Sequence, residues 1–142
     1  MIKFSPEQRF IATGASSGIG EGAALSLNEL GASVVGIGRN RDRVEALKAK
    51  AKFAENMFIE EKNLTENIND LPKYIKTLKD KYGKFQRMAY CAGITQNVPL
   101  QLLQEKEFKH VFDINYFTPI YMAKRVADRR INNGYGSSGG CL

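Results

Sequence analysis

Apolar runs and helical periods alternate along this chain, and the alternation repeats four times. Phe10-Ile11-Ala12-Thr13 is a short apolar run of the kind that forms a buried strand. The amphipathic stretch that follows predicts a helix over 18–30, closed by Gly31 just past its end. Ser33-Val34-Val35-Gly36-Ile37 reads as a second strand, and 41–53 as a second helix with Val44, Leu47 and Ala51 turned inward. Met57-Phe58-Ile59 is a third strand. Thr65 or Asn67 then caps a third helix whose apolar positions, Ile68, Leu71, Ile75, Leu78 and Tyr82, step by three and four until Gly83 ends it. Arg87 to Cys91 is a fourth strand, followed by a loop with Pro99 and a long helix over 106–131.

Strand and helix in strict alternation imply an α/β fold, a three-layer, doubly wound parallel sheet with helices on both faces. Right-handed crossovers place any ligand at the carboxyl ends of the strands, near the point where strand order reverses. The pattern stops after the fourth βα unit. Residues 134–142, rich in Gly and Ser, read as a loop-like tail beyond a nucleotide-binding domain of residues 1–133.

Composition narrows the classes. At 142 residues the chain is of single-domain size. No apolar run approaches the ~20 residues of a membrane span, and Met1 to Pro6 carries no apolar signal core. The net charge of +6 is spread over several helices without a basic stripe and stacking aromatics, which argues against a nucleic-acid partner and leaves a bias toward anionic ligands. Two cysteines, Cys91 and Cys141, make no disulfide framework and fit a reducing cytoplasm. No metal-ligand set is seen, and the one histidine, His110, falls on an outer helix face.

The chemistry centres on Thr13-Gly14-Ala15-Ser16-Ser17-Gly18-Ile19-Gly20, between the first strand and its helix. Gly14 permits a tight reversal, and Gly18 and Gly20 permit close approach of backbone to a pyrophosphate and of helix to sheet. The helix presents unpaired N–H groups and the positive end of its dipole there. The spacing G-x-x-x-G-x-G, with Thr13, two serines and Ile19, resembles the cofactor loop TGxxxGIG of the short-chain dehydrogenase/reductase family. The resemblance extends over residues 7–136, the cofactor-binding half of that fold.

After the second strand the chain reads Gly38-Arg39-Asn40, with no carboxylate before Asp42. A site for NAD(H) needs an acid there for the ribose 2′-OH, whereas Arg39, aided by Ser16, suits a 2′-phosphate. NADP(H) is therefore expected over NAD(H). The resemblance implies two further contacts. Asn63-Leu64 stands where family members have Asp and an aliphatic residue against the adenine. Tyr90-Cys91-Ala92-Gly93 stands where they have Asn-Asn-Ala-Gly, so Cys91, Ala92 and Gly93 join the expected contacts without the family's bracing amides. In the long helix Pro119 lacks the N–H that would reach the Asn115 carbonyl, so a kink is expected. The resemblance gives Asn115 a part in a proton-relay water.

The family's proton donor lies in Tyr-x-x-x-Lys. None of the six tyrosines here is followed at the fourth place by lysine; Tyr121 with Arg125 comes nearest. The family's serine belongs to a fifth strand, and Ser137 and Ser138 read as preceding it. Three readings follow: the cofactor half of an NADP-dependent carbonyl or alcohol oxidoreductase, truncated and with little activity alone; a non-catalytic dinucleotide-binding module serving as sensor or subunit; or a fragment that binds nothing. The fourth strand would present an open apolar edge, and the long helix carries apolar groups on more than one stripe (Phe108, Phe112, Phe117, Ile120). Either predicts a homo-oligomer.

Overall fold

The computed structural model describes the backbone of residues 1–140 and the side chains of residues 1–131. Five parallel strands form one sheet. They are β1 (Arg9–Thr13), β2 (Ser33–Gly38), β3 (Met57–Glu61), β4 (Phe85–Tyr90) and β5 (Asn132–Gly140), in the spatial order β3-β2-β1-β4-β5. The helices are α1 (Gly18–Glu29), α2 (Arg41–Lys50), α3 (Leu71–Tyr82), α4 (Glu105–Phe112) and α5 (Thr118–Val126). The chain leaves β1 for β2 on one side and places β4 on the other, so the switch point lies between β1 and β4.

The two faces of the sheet are packed differently, and the two-residue period of the strands assigns each side chain. Ile11, Val35, Ile37 and Met88 point to the face covered by α3 and α5, where Ile75, Leu78, Met122 and Val126 complete a core of large side chains. Ala12 and Val34 point to the opposite face with Ala15, Ala24 and Leu47, and the three alanines let α1 lie close to the sheet. Asn28, fully buried in α1, spends its amide on the Phe53 backbone, donating to the carbonyl and accepting from the N–H at 2.9 Å each. That clamp holds the segment between α2 and β3.

Four βα units stand as expected, with three corrections. Residues 134–140 are not a loop. β5 pairs with β4 in parallel, with Arg87 opposite Ser137 and Tyr90 opposite Gly140. Glycine and serine are poor strand formers on their own, but from Arg87 to Tyr90 β4 offers backbone partners to residues 137–140, after an irregularity in register between Phe85 and Arg87, and a ladder needs no particular side chain. Consequently β4 is an interior strand, and the expected open β4 edge is absent. Ser137 and Ser138 stand within the fifth strand rather than before it. Cys141 and Leu142 lie outside the described residues.

The long helix is also broken. α4 and α5 are joined by a π turn, Asp113–Phe117, and α5 ends at Val126, five residues short of the expected end. The break falls where Pro119 predicts one. In the π register the Thr118 N–H bonds the Asp113 carbonyl, and the residue five places after Ile114 is Pro119, which has no N–H to offer. The second helix stops at Lys50, with Ala51 already extended.

Candidate functional site

The turn after β1 is built from positions only glycine fills. Gly14 has φ +64°, and a Cβ there would lie 2.8 Å from both the Ala92 nitrogen and the Cys91 carbonyl oxygen. Its bare Cα lets β1 and the end of β4 converge. Gly18 is different: φ is +57°, yet a Cβ would meet nothing within 4 Å. Gly18 serves conformation, whereas Gly14 serves conformation and packing. Gly20 is buried, with its Cα against the backbone of Thr13 and Gly14, and seats α1 on the strand.

Ser17 is the N-cap of α1 in an extended conformation, and its side chain makes no cap bond. The Glu21 N–H donates to the Ser17 carbonyl at 3.3 Å, so the amides of Gly18, Ile19 and Gly20 precede the helical ladder. The Ile19 side chain is exposed, and this residue contributes through its backbone. Three amides and the positive end of the α1 dipole thus follow directly on Ser16 and Ser17, which line the switch-point crevice.

That crevice encloses about 150 Å³. Gly14, Ser16 and Ser17 form one wall, Gly38, Arg39 and Leu64 the next, and Cys91, Ala92, Gly93 and Ile114 the far side. Lys62 also lines it, a residue absent from the sequence-based expectation. No aspartate or glutamate contributes to the lining. Gly38 is buried, and a Cβ there would press on Val44 Cγ2 at 2.5 Å and on Ser16 Cβ at 3.3 Å. The missing side chain at Gly38 therefore brings Ser16 up against the end of β2, rather than leaving free room for a ligand.

Five expected contacts, Gly18, Ile19, Gly20, Asn40 and Asn63, are not among the lining residues. Asn40 caps α2, accepting from the Arg43 N–H at 3.0 Å, so its oxygen is committed. The Asn63 oxygen accepts from the Thr65 N–H at 3.2 Å and the Thr65 hydroxyl at 3.0 Å, closing its own turn. Leu64, the buried neighbour of Asn63, is the residue that reaches the wall.

The far side is tied down by three internal bonds or bond pairs. The buried Thr13 hydroxyl oxygen accepts from the Cys91 N–H at 3.0 Å and the Ala92 N–H at 3.2 Å. Asn115 accepts from the Ile94 N–H at 3.0 Å and donates to the Ile94 carbonyl at 2.7 Å. A Cβ on Gly93 would come within 3.2 Å of the Asn115 oxygen. The Tyr90 hydroxyl donates to the Ile114 carbonyl at 2.5 Å, the carbonyl that Pro119 cannot serve. Burial pushes the Tyr90 phenol above its ordinary pKa, which keeps it a donor. Thr13 was visible in the sequence only as part of the glycine run; its two-amide bridge needed β4 alongside.

The sequence profile of short chain dehydrogenases matches residues 8–137. An uncharacterized oxidoreductase of Listeria innocua is 36% identical over 105 residues, which cover 74% of this chain and 42% of that protein. A 3-oxoacyl-[acyl-carrier-protein] reductase of Rickettsia conorii is 30% identical over 124 residues, covering 87% of this chain and 48% of the relative. A short chain dehydrogenase structure from Bacillus anthracis superposes with a TM-score of 0.84 at 25% identity, over 95% of this chain and 56% of that one. The chain belongs to the short chain dehydrogenase family, and it carries the N-terminal part of that fold. It spans less than half the length of these two curated relatives. The family binds nicotinamide dinucleotides, and its members named above are oxidoreductases.

Proposed function

We propose that this chain is the NADP(H)-binding half of an oxidoreductase acting on a carbonyl or alcohol substrate. The observation that carries the reading is the lining of the crevice: two cations and two serine hydroxyls, with no carboxylate. The donor set fits a polyanion. The amides of Gly18, Ile19 and Gly20, with Ser16 and Ser17, would hold the diphosphate, and Arg39 would pair with the 2′-phosphate. Leu64 would flank the adenine, and Ala92 and Gly93 the far ribose. Bound there, the cofactor supplies or accepts hydride. This chain's own residues bind and orient it. With only about 150 Å³ enclosed, most of a dinucleotide would lie across the crevice mouth.

Calorimetric titration of the chain with NADPH and with NADH tests the reading. NADPH should bind at least tenfold more tightly, and Arg39→Ala should remove most of that preference while leaving NADH affinity unchanged. Equal affinity for the two, or none for either, would overturn it.

A second reading is a non-catalytic dinucleotide module. It predicts NADPH binding without oxidation by any of a panel of ketones, even when the C-terminal half of a relative is supplied. We further propose that a second copy of this chain covers the outer face of α4 and α5. There Phe108, Phe112, Tyr116, Phe117 and Ile120 are exposed, and the Phe108 and Phe112 rings meet at 4.7 Å with their planes tilted by 51°. Among the described residues no helix is long and apolar enough to cross a membrane. A cytoplasmic location belongs to the proposal.

A further inference from the structure

Lys62 is the crevice residue that no sequence pattern singled out, and its setting is specific. It follows directly on β3, and its N–H donates to the Gly38 carbonyl at 2.9 Å. That bond joins the turn after β3 to the turn after β2, where Arg39 begins. The two cationic residues thus line the same crevice, together with Ser16. The Lys62 ammonium lies 5.5 Å from the centre of the Tyr74 ring on α3, and the side chain is half-buried.

Neighbouring acids do not neutralise these two cations. Glu60 is taken by Lys81 at 2.8 Å and by the Tyr82 hydroxyl at 2.5 Å. Glu61 faces Arg41 at 4.0 Å. Among the described residues neither Arg39 nor Lys62 has a carboxylate partner. Two cations without carboxylate partners on one crevice favour an anion there, and a doubly charged phosphate ester can meet both. A ribose 2′-hydroxyl offers nothing comparable.

We infer that Lys62 is a second specificity-determining cation for the 2′-phosphate, gripping the ester from the β3 side while Arg39 grips it from the β2 side. This rests on the NADP(H) reading above and adds a residue to it. An arginine alone supplies a planar fork. A lysine opposite supplies a compact point charge, and the pair encloses a tetrahedral anion better than either does.

The test uses the 142-residue chain, with adenosine 2′,5′-bisphosphate and 5′-AMP as probes in calorimetry. Lys62→Met keeps an unbranched side chain and removes the charge. The unsubstituted chain should prefer the bisphosphate. Lys62→Met should weaken bisphosphate binding tenfold or more, leave 5′-AMP binding within twofold, and flatten the dependence of bisphosphate affinity on salt. Lys62→Arg should restore most of the preference. If the unsubstituted chain prefers the bisphosphate but Lys62→Met retains that preference, the assignment of Lys62 fails while the NADP(H) reading stands. Equal weakening of both probes makes Lys62 a structural residue and also overturns the assignment. If the unsubstituted chain shows no preference, the NADP(H) reading fails and Lys62 falls with it.

Discussion

The two sides of the crevice treat their polar groups in opposite ways. On the β1–β2 side the Ser17 side chain makes no cap bond to the amides ahead of the α1 ladder, and among the described residues Arg39 and Lys62 have no carboxylate partner. On the β4 side the Thr13 oxygen, the Asn115 amide and the Tyr90 hydroxyl are all engaged internally. Buried polar groups must be paired, and a group kept unpaired at a surface crevice is available to a ligand. The first side therefore supplies attraction, and the second supplies rigidity. On the second side a phenol does the bracing, since Tyr90 bonds the Ile114 carbonyl that Pro119 leaves open.

The largest effect that would probe this contrast is at the turn the two sides share. Gly14→Ala forces a Cβ to within 2.8 Å of the Ala92 and Cys91 backbone at positive φ. It should cost about 3 kcal/mol or more in chemical denaturation and abolish nucleotide binding. Gly18→Ala, with open space around it, should cost only about 1 kcal/mol, the left-handed penalty alone. Equal costs at the two glycines would break the distinction between packing and conformation.

Thr13→Val comes next. It removes the acceptor for two β4 amides while keeping the volume, and should cost about 2 kcal/mol. NADPH affinity should fall through loosening of the β4 wall, and the preference over NADH should stay, because Arg39 and Lys62 are untouched. A loss of preference in this variant would show that the sides are not separable.

Tyr90→Phe should cost about 1–2 kcal/mol by leaving the Ile114 carbonyl without its donor. Its pH signature is distinct. The folded-state pKa of Tyr90 is raised by burial. Its contribution is therefore fully present below the unfolded value of about 10 and is lost as pH rises through the higher folded value. Tyr74 and Tyr82, also raised by burial, act with the same sign, so the difference between the parent chain and Tyr90→Phe isolates Tyr90. Denaturation across pH 8–11 should show that difference shrinking above about 10. A difference that grows with pH would contradict the assignment.

The smallest effect concerns assembly. Phe112→Glu with Ile120→Glu should leave folding within about 0.5 kcal/mol, because both side chains face outward. Sedimentation should change from dimer to monomer. A parent chain that is monomeric at high concentration would remove the proposed self-association.

The legible parts of this molecule were those written in local periods. The β1 turn was readable because Gly14, Gly18 and Gly20 have to be glycine for backbone reasons. Arg39 was readable from its place after β2. Pro119 marked the break between α4 and α5, but not its form, since whether a π or an α register surrounds a proline depends on what α5 packs against. Residues 134–140 were misread because Gly and Ser signal turns locally, while the partner that makes them a strand, β4, lies more than forty residues earlier. With β5 in place, Ser137 and Ser138 lie on the strand that holds the serine in the resembled family. Lys62 was invisible for a related reason: a lysine after a strand is ordinary until the topology sets it beside Arg39.

The most direct measurement is a titration of the isotopically labelled chain with NADP⁺, followed through its backbone amide resonances. Saturable shifts should be largest at Gly14, Ser16, Ser17, Gly18, Ile19 and Gly20, with a second set at Arg39 and Lys62 and none along α3 beyond Tyr74. An unperturbed turn after β1, with or without shifts elsewhere, would contradict the account.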